Sequence, residues 1–310
     1  MNFIKPKFWK SKFNFFSIIL LPLSVLYRIF LYARKFFIKV VKFKANIICV
    51  GNIYVGGTGK TPLSLLIYKL LKKNNKNPAI IKKFYKNHFD EINLISSEIN
   101  DLFINKSRKN AIDNAISKGF KTIVLDDGFQ DVSIHKNLSI ICFNSRQLIG
   151  NGYIIPAGPM RESLSSIKNS NIVLINGKKN EIFESKIKKI SPLIKIFNSN
   201  YYPINIENFK NKKIYAFAGI GNPKNFIDLL KENNLNIEKT KIFPDHYSFS
   251  RDELLDLIRD AKSNNLELVT TEKDFQRVKN FNLKEIKCIK VELKIEKQGE
   301  FESYLLKYIL

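Results

Sequence analysis

Lys60 and Thr61 close the run Gly56-Gly57-Thr58-Gly59, an order of residue types that can hold the outer phosphates of a nucleotide. Successive backbone N–H groups of such a turn point at one anion, and the helix that follows adds the positive end of its dipole. A lysine and a hydroxyl are then left for the β- and γ-phosphates and for Mg²⁺. The flanking residues supply the context that this chemistry needs. Asn46–Val50 is an apolar, strand-like run, and Leu63, Leu66, Ile67, Leu70 and Leu71 recur at helical spacing. The strict pattern G-x-x-x-x-G-K-[ST] is missed at one place, because Tyr54 stands where its first glycine belongs. A dinucleotide fingerprint fails, since Pro62 occupies the position of the third glycine of G-x-G-x-x-G. Partition-type ATPases carry a lysine where this chain has Val55. GTPases need an N-K-x-D element, for which Thr271-Glu272-Lys273-Asp274 is a poor substitute.

A second group of oxygen ligands follows the strand-like run Thr122–Leu125, which ends in Asp126-Asp127-Gly128. Ligands of parallel α/β sheets collect beyond the carboxyl ends of the strands, and a hard cation there takes carboxylate, hydroxyl and water oxygens. Either Asp126 or Asp127 faces the ion. Taken without the upstream loop, Asp-Asp-Gly reads as a common turn.

The elements that must position these residues alternate along the chain. Pro78–Ile81, Thr122–Leu125, Leu138–Phe143 and Ile172–Ile175 read as buried strands separated by helical stretches, which implies a parallel sheet covered by helices. With 310 residues, 45% of them hydrophobic, the chain can bury a sizeable core and form two domains. Cys49, Cys142 and Cys288 are scattered, forming neither a disulfide framework nor a metal-ligand pair. The net charge of +24 suggests nucleic acid as a partner. No helix-turn-helix, zinc-finger or aromatic RNA-binding signature accompanies it, and the lysines read as a solvated surface in a Lys-, Asn- and Ile-rich composition. No nucleic-acid partner is expected.

One segment concentrates charge beyond that composition: residues 1–44 contain ten Lys or Arg and no Asp or Glu. Phe13–Tyr27 is free of charge, but its fifteen residues are interrupted by Pro22 and fall short of the roughly 20 that a spanning helix needs. Beyond it Arg28, Lys35, Lys39 and Lys42 fall on one side of a helix, and Leu26, Phe30, Ala33, Phe37, Val40 and Val41 on another. The expectation is a retained, basic amphipathic helix lying in a membrane interface rather than crossing it.

Several blocks in order closely resemble the tetraacyldisaccharide 4'-kinase family, the lipid A kinases. They are Val50-Gly51-Asn52 through Thr61-Pro62, Leu125-Asp126-Asp127-Gly128-Phe129-Gln130, and Ile155-Pro156-Ala157-Gly158-Pro159-Met160-Arg161-Glu162. Ala218-Gly219-Ile220-Gly221-Asn222-Pro223, Phe243-Pro244-Asp245-His246-Tyr247 and Thr270-Thr271-Glu272-Lys273-Asp274 continue the series. That family also lacks glycine at the place of Tyr54. The resemblance implies a P-loop NTPase-like, mostly parallel α/β sheet covered by helices. It further implies transfer of the γ-phosphoryl group of ATP to the 4'-hydroxyl of an acylated glucosamine disaccharide 1-phosphate at the cytoplasmic face of the inner membrane.

On this resemblance Gly56, Gly57, Thr58, Gly59, Lys60 and Thr61 hold ATP; Thr61, Asp126, Asp127 and Glu162 serve Mg²⁺; and Arg161 and Gln130 meet the substrate. Asp90, His246 and Lys60 are the catalytic group. His246 sits in the motif whose histidine works with an aspartate of a Gly-Asp-Glu-Pro element, represented here by His88-Phe89-Asp90-Glu91-Ile92. A carboxylate holding an imidazole makes a competent general base near neutral pH. Lys273 and Asp274 read as a helix cap. The chain departs from the family where Ser-Arg-Gly-Tyr is replaced by Ile81-Lys82-Lys83-Phe84-Tyr85, in the short loop before Asp90, and at Asp131 where histidine is common. The expected division is a membrane-associating helix over 1–43, a P-loop core over 44–200 and a smaller α/β lobe over 201–310. The alternative is a membrane-recruited P-loop ATPase that acts as a switch, which needs Lys60 and the helix but neither Asp90 nor His246.

Overall fold

A computed structural model of the chain describes residues 6–85 and 89–309. In chain order, α1 (Phe15–Phe36), β1 (Asn46–Gly51), α2 (Lys60–Lys73), β2 (Pro78–Lys83), α3 (Phe89–Glu98), β3 (Leu102–Asn105), α4 (Arg108–Ser117) and β4 (Thr122–Asp126) come first. Next are β5 (Leu138–Asn144), β6 (Ile172–Asn176), α5 (Glu181–Ile190), β7 (Lys195–Pro203), β8 (Lys213–Ala218), α6 (Pro223–Glu232) and β9 (Asn236–Ile242). The chain ends with α7 (Arg251–Ser263), β10 (Glu267–Thr271), α8 (Glu272–Val278), β11 (Ile286–Ile289), β12 (Val291–Ile295) and α9 (Gln298–Leu306).

These elements form two units, one of Lys5–Phe84, Asp101–Asn200 and Leu293–Leu310, the other including Tyr85–Asn100 and Tyr201–Glu292. This differs from the contiguous segments 1–43, 44–200 and 201–310. The reason is packing: α3 lies against α8, and α9 buries Phe301 edge-on against Phe197 of β7, ring centroids 5.3 Å apart.

The first unit is built on a sheet in the order β12-β7-β6-β5-β1-β4-β2-β3, with β1 parallel to both β4 and β5. From β1 the chain runs to β2 and β3 on one side, returns through β4, and continues with β5, β6 and β7 on the other. The loop after β1 therefore emerges where strand order reverses, the place at which open α/β sheets bind ligands. Strands β4, β5 and β6 are buried throughout, as continuous runs such as Leu138-Ser139-Ile140-Ile141-Cys142-Phe143 require of a parallel sheet covered on both faces. The second unit has a parallel sheet ordered β11-β10-β8-β9, its core formed by Tyr215, Phe217, Phe243, Phe249, Leu254 and Leu257.

Helix α1 corrects the N-terminal expectation in two respects. It runs unbroken through Pro22, which costs one i→i−4 bond, and its 22 residues are long and apolar enough to cross a bilayer by length and composition. It ends at Phe36, so Lys39, Val40, Val41 and Lys42 are not part of it. The Val41 backbone instead pairs with Ser133 and His135 at 2.9 Å each. The helix is inside-out, with Ser17 and Ser24 buried and Phe15, Phe16, Ile19, Leu23, Leu26, Ile29 and Phe30 exposed. Ser24 Oγ donates to the Ile154 carbonyl at 2.8 Å and accepts from Ala157 N at 3.0 Å. Ser17 Oγ accepts from Asn151 Nδ2 at 3.1 Å, and Trp9 Nε1 donates to the Pro156 carbonyl at 3.0 Å.

Gly158 makes this socket possible. A Cβ at Gly158 would land on Asn151 Oδ1 and the Tyr153 carbonyl; the first belongs to the amide that donates to Ser17 of α1, and the second accepts Met160 N at 3.1 Å. Gly158→Ala is therefore expected to destabilise the first unit by about 1–3 kcal/mol, read as a lower denaturation midpoint in detergent. An unchanged midpoint would show that the socket yields freely.

Candidate functional site

The glycine-rich loop is held by side chains on three sides. Asn52 Nδ2 donates to the Gly56 carbonyl at 3.2 Å and to Thr58 Oγ1 at 3.0 Å. Asn176 Nδ2, at the end of β6, donates to the Thr58 carbonyl. Gln130 Nε2 donates to the Asn52 carbonyl at 2.7 Å. Gly59, with φ of 92°, is the N-cap of α2 and turns the chain into the helix. Gly57 has nothing within 4 Å of where a Cβ would stand, so no side chain fills the space beside that turn. Tyr54 is buried in the core and is not left-handed, which explains why that position does without glycine.

Lys60 and Thr61 begin α2 and reach different carboxylates. Lys60 Nζ is 3.8 Å from Asp127 Oδ1, whereas Thr61 Oγ1 donates to Asp126 Oδ2 at 3.0 Å. The two aspartates are thereby separated. Asp126 is fully buried, accepts Ser64 Oγ at 3.2 Å and is ion-paired with Lys82. Asp127 has a left-handed backbone (φ 57°), is 22% exposed, and faces Arg161 Nη1 at 3.1 Å. Non-glycine residues held in that region gather at functional sites. Arg161 Nη1 also reaches Gln130 Oε1 at 3.3 Å, which brings both candidate substrate residues beside Asp127. Arg108 on α4 supports the turn by donating to the Asp127 carbonyl and pairing with Asp131 at 3.3 Å. Glu162 is placed otherwise: its carboxylate accepts Lys35 at 3.4 Å and Ser166 at 3.1 Å, not a group of the phosphate loop.

In the second unit Asp90, near the start of α3, is almost wholly buried. His246 Nδ1 lies 3.4 Å from its Oδ2, Lys273 Nζ 3.5 Å and Arg277 Nη2 2.5 Å. Among the described residues, the buried Oδ1 of Asp90 has no hydrogen-bond partner. Burial alone would push Asp90 up, but the His246 hydrogen bond and the charges of Lys273 and Arg277 outweigh it and hold the carboxyl well below the usual carboxylate range. His246 is itself left-handed (φ 58°), its N–H donating to the Gly219 carbonyl at 3.2 Å. Arg277 Nη1 is fixed by the Gly219 carbonyl and Asp274 Oδ1, both at 2.7 Å.

The sequence paired Asp90 with His246, and the structure places them together despite the short preceding loop; His88 lies outside the described residues. Lys273, read as part of a cap, also bonds Glu91 at 3.0 Å, while the capping of α8 belongs to Thr271, which accepts from Asp274 N. Lys82, Ser64, Arg108, Asn176 and Arg277 were not anticipated. Arg277 could have been found as the residue one turn after Lys273, and Lys82 as a cation closing an apolar strand.

A glycine-rich loop at the switch point of a parallel sheet, closed by Lys60 and Thr61 against two separated carboxylates, defines a P-loop NTPase-like protein built for phosphoryl chemistry. A family model described as tetraacyldisaccharide-1-P 4'-kinase (LpxK) matches residues 16–98 and 87–310. The tetraacyldisaccharide 4'-kinase of Pelagibacter ubique (strain HTCC1062) is 42% identical over 311 residues, covering 99% of this chain and 98% of that protein. That of Rickettsia canadensis (strain McKiel) is 32% identical over 325 residues, covering 99% and 98%. The crystal structure of LpxK from Aquifex aeolicus in complex with ATP superposes with a TM-score of 0.71 at 21% identity, over 95% of this chain and 99% of that one, a likeness of fold. The chain belongs to the tetraacyldisaccharide-1-P 4'-kinase family and is a kinase.

Proposed function

We propose that this kinase transfers the γ-phosphoryl group of ATP to the 4'-hydroxyl of a tetraacylated glucosamine disaccharide 1-phosphate, a step of lipid A biosynthesis, at the cytoplasmic face of the inner membrane. The observation that carries the reading is Lys60, at the start of α2 behind the glycine-rich loop, poised 3.8 Å from Asp127, in a chain that matches this family along nearly its whole length.

Phosphoryl transfer asks mainly for positioning and charge neutralisation. The Gly56–Thr61 amides and Lys60 bind the β- and γ-phosphates, and Arg161 neutralises charge beside Asp127. The donors suit Mg²⁺: the Thr61 hydroxyl and the Asp127 carboxylate are hard oxygens, and such an ion keeps water and takes phosphate oxygens. When bound, Mg²⁺ would supply charge neutralisation on the transferred group. Asp90 orients His246, and the pair takes the proton of the substrate hydroxyl.

Helix α1 serves the acceptor. It is bonded to one unit at Ser17, Ser24, Arg34 and Lys35, a stretch of about 27 Å at 1.5 Å per residue. A helix fastened along that length lies on the bilayer surface with its phenylalanines and leucines in the acyl region. The test is incubation of purified full-length protein with γ-labelled ATP and the disaccharide in liposomes. Mg²⁺-dependent label at the 4'-position is expected, and its absence would falsify the proposal.

A further inference from the structure

In the second sheet β8 is parallel to β9 on one side and to β10 on the other, so the loop after β8 leaves at the point where strand order reverses. Reacting groups of open α/β sheets collect at that place. Each of the three strands delivers one part of a cluster beyond its carboxyl end: β8 the Gly219 peptide, β9 the loop with His246, and β10 the helix α8 with Asp274 and Arg277.

Arg277 joins these parts to Asp90 of α3. Its Nη2 pairs with Asp90 Oδ2 at 2.5 Å, while Nη1 donates to the Gly219 carbonyl and to Asp274 Oδ1, both at 2.7 Å. The same Gly219 carbonyl accepts His246 N at 3.2 Å, and Gly219 N donates to Asp274 Oδ2 at 3.0 Å. Asp274 is fully buried and also accepts the Thr271 hydroxyl at 2.7 Å. A Cβ at Gly219 would stand 3.2 Å from both Asp274 Oδ1 and the Pro244 carbonyl, so this peptide is closed in between α8 and the His246 loop. His246 has φ of 58°, a conformation that persists only where its surroundings fix it. Lys273 brings a second positive charge to Asp90 at 3.5 Å, but its other bond, to Glu91 at 3.0 Å, returns to α3. Arg277 instead ties Asp90 to the peptide that anchors His246, which a planar fork with two donating nitrogens can do and a point charge cannot.

We propose that Arg277 is a positioning residue for proton removal: one guanidinium holds both Asp90 and the Gly219 peptide, and so sets the spacing of the Asp90–His246 pair. The inference rests on the reading of that pair as the proton acceptor. A buried arginine among carboxylates is a costly way to stabilise a core, where apolar residues of similar volume do as well or better, and its span across the two halves of the pair gives it a use.

The experiment is a double-variant cycle in the full-length protein, with label transfer to the disaccharide in liposomes measured beside binding of a fluorescent ATP analogue. Arg277→Met is expected to lower kcat by about 10²-fold, the scale of a displacement of about 1 Å at a reacting group, with the analogue bound as in wild type. In the His246→Ala background the same substitution is expected to cost less than about threefold, because groups that act as one unit are lost together. A larger loss in that background overturns the proposal, since an effect on the fold at large would multiply with the loss of His246. A loss below about tenfold in Arg277→Met alone also overturns it, as does a fall in analogue affinity that matches the fall in kcat. If His246→Ala itself keeps the wild-type kcat, the reading of the pair fails, and this inference with it. Should Arg277→Met not fold, Arg277→Gln keeps a donor without the fork, and the same cycle decides.

Discussion

Lys60→Ala is expected to lower kcat/KM for phosphoryl transfer by about 10³-fold, the scale of removing one preorganised charge from a transition state. The fold should barely notice. Lys60 lies in the first turn of α2, and its ion pair to Asp127 spans 3.8 Å with both side chains partly exposed, so little packing goes with it. The measurement is label transfer at saturating lipid disaccharide, alongside the melting temperature of the apo protein. A tenfold loss or less would mean that the loop amides and Arg161 hold the phosphates unaided. Lys60→Arg should recover little, because a planar fork does not replace a point charge in a loop shaped by Gly56 and Gly59.

His246→Ala is expected to cost about 10²–10⁴-fold in kcat, the usual contribution of a positioned proton acceptor, with binding of a fluorescent ATP analogue unchanged. Asp90→Asn should lose a comparable amount, and the double variant little more than either single one, because the two side chains act as one unit. The pH dependence distinguishes them further. Asp90 has a depressed carboxyl, so it is ionised throughout any assay near neutrality, and the fold loss on Asp90→Asn should be level from about pH 6 to 9. The same depression has a consequence for stability. The contribution of Asp90 is fully present above the unfolded carboxylate value of about 4 and is lost as pH falls through the lower folded value. If His246→Ala phosphorylated the lipid as fast as wild type while Lys60→Ala did not, the assignment of the proton acceptor to His246 would fail.

The phosphate loop was legible in the sequence because its requirements are local: a buried strand, glycines where the backbone turns left-handed, and a helix start. Asp126 and Asp127 were legible as a pair and not as individuals. What separates them is Lys82, 44 residues earlier in the chain and brought alongside only by the β2–β4 register. The cluster around Asp90 was half visible. A motif named His246, but Arg277 and Lys273 gain their meaning from α3 lying against α8, which no spacing encodes. The span of α1 was misread for a similar reason. Counting uncharged residues stopped at Arg28, although Arg28 sits within a continuous helix whose burial follows Ser17 and Ser24 rather than its apolar residues.

That inverted helix has a consequence for how rates on this enzyme are expressed. On the proposed reading, with the exposed phenylalanines of α1 in the acyl region and the acceptor's chains beside them, enzyme and acceptor would meet by lateral diffusion in two dimensions, while ATP arrives from bulk water. The relevant acceptor concentration is then its mole fraction among the lipids, not its molarity in the tube. Adding inert phospholipid at constant acceptor should slow the reaction by surface dilution, and adding water should not.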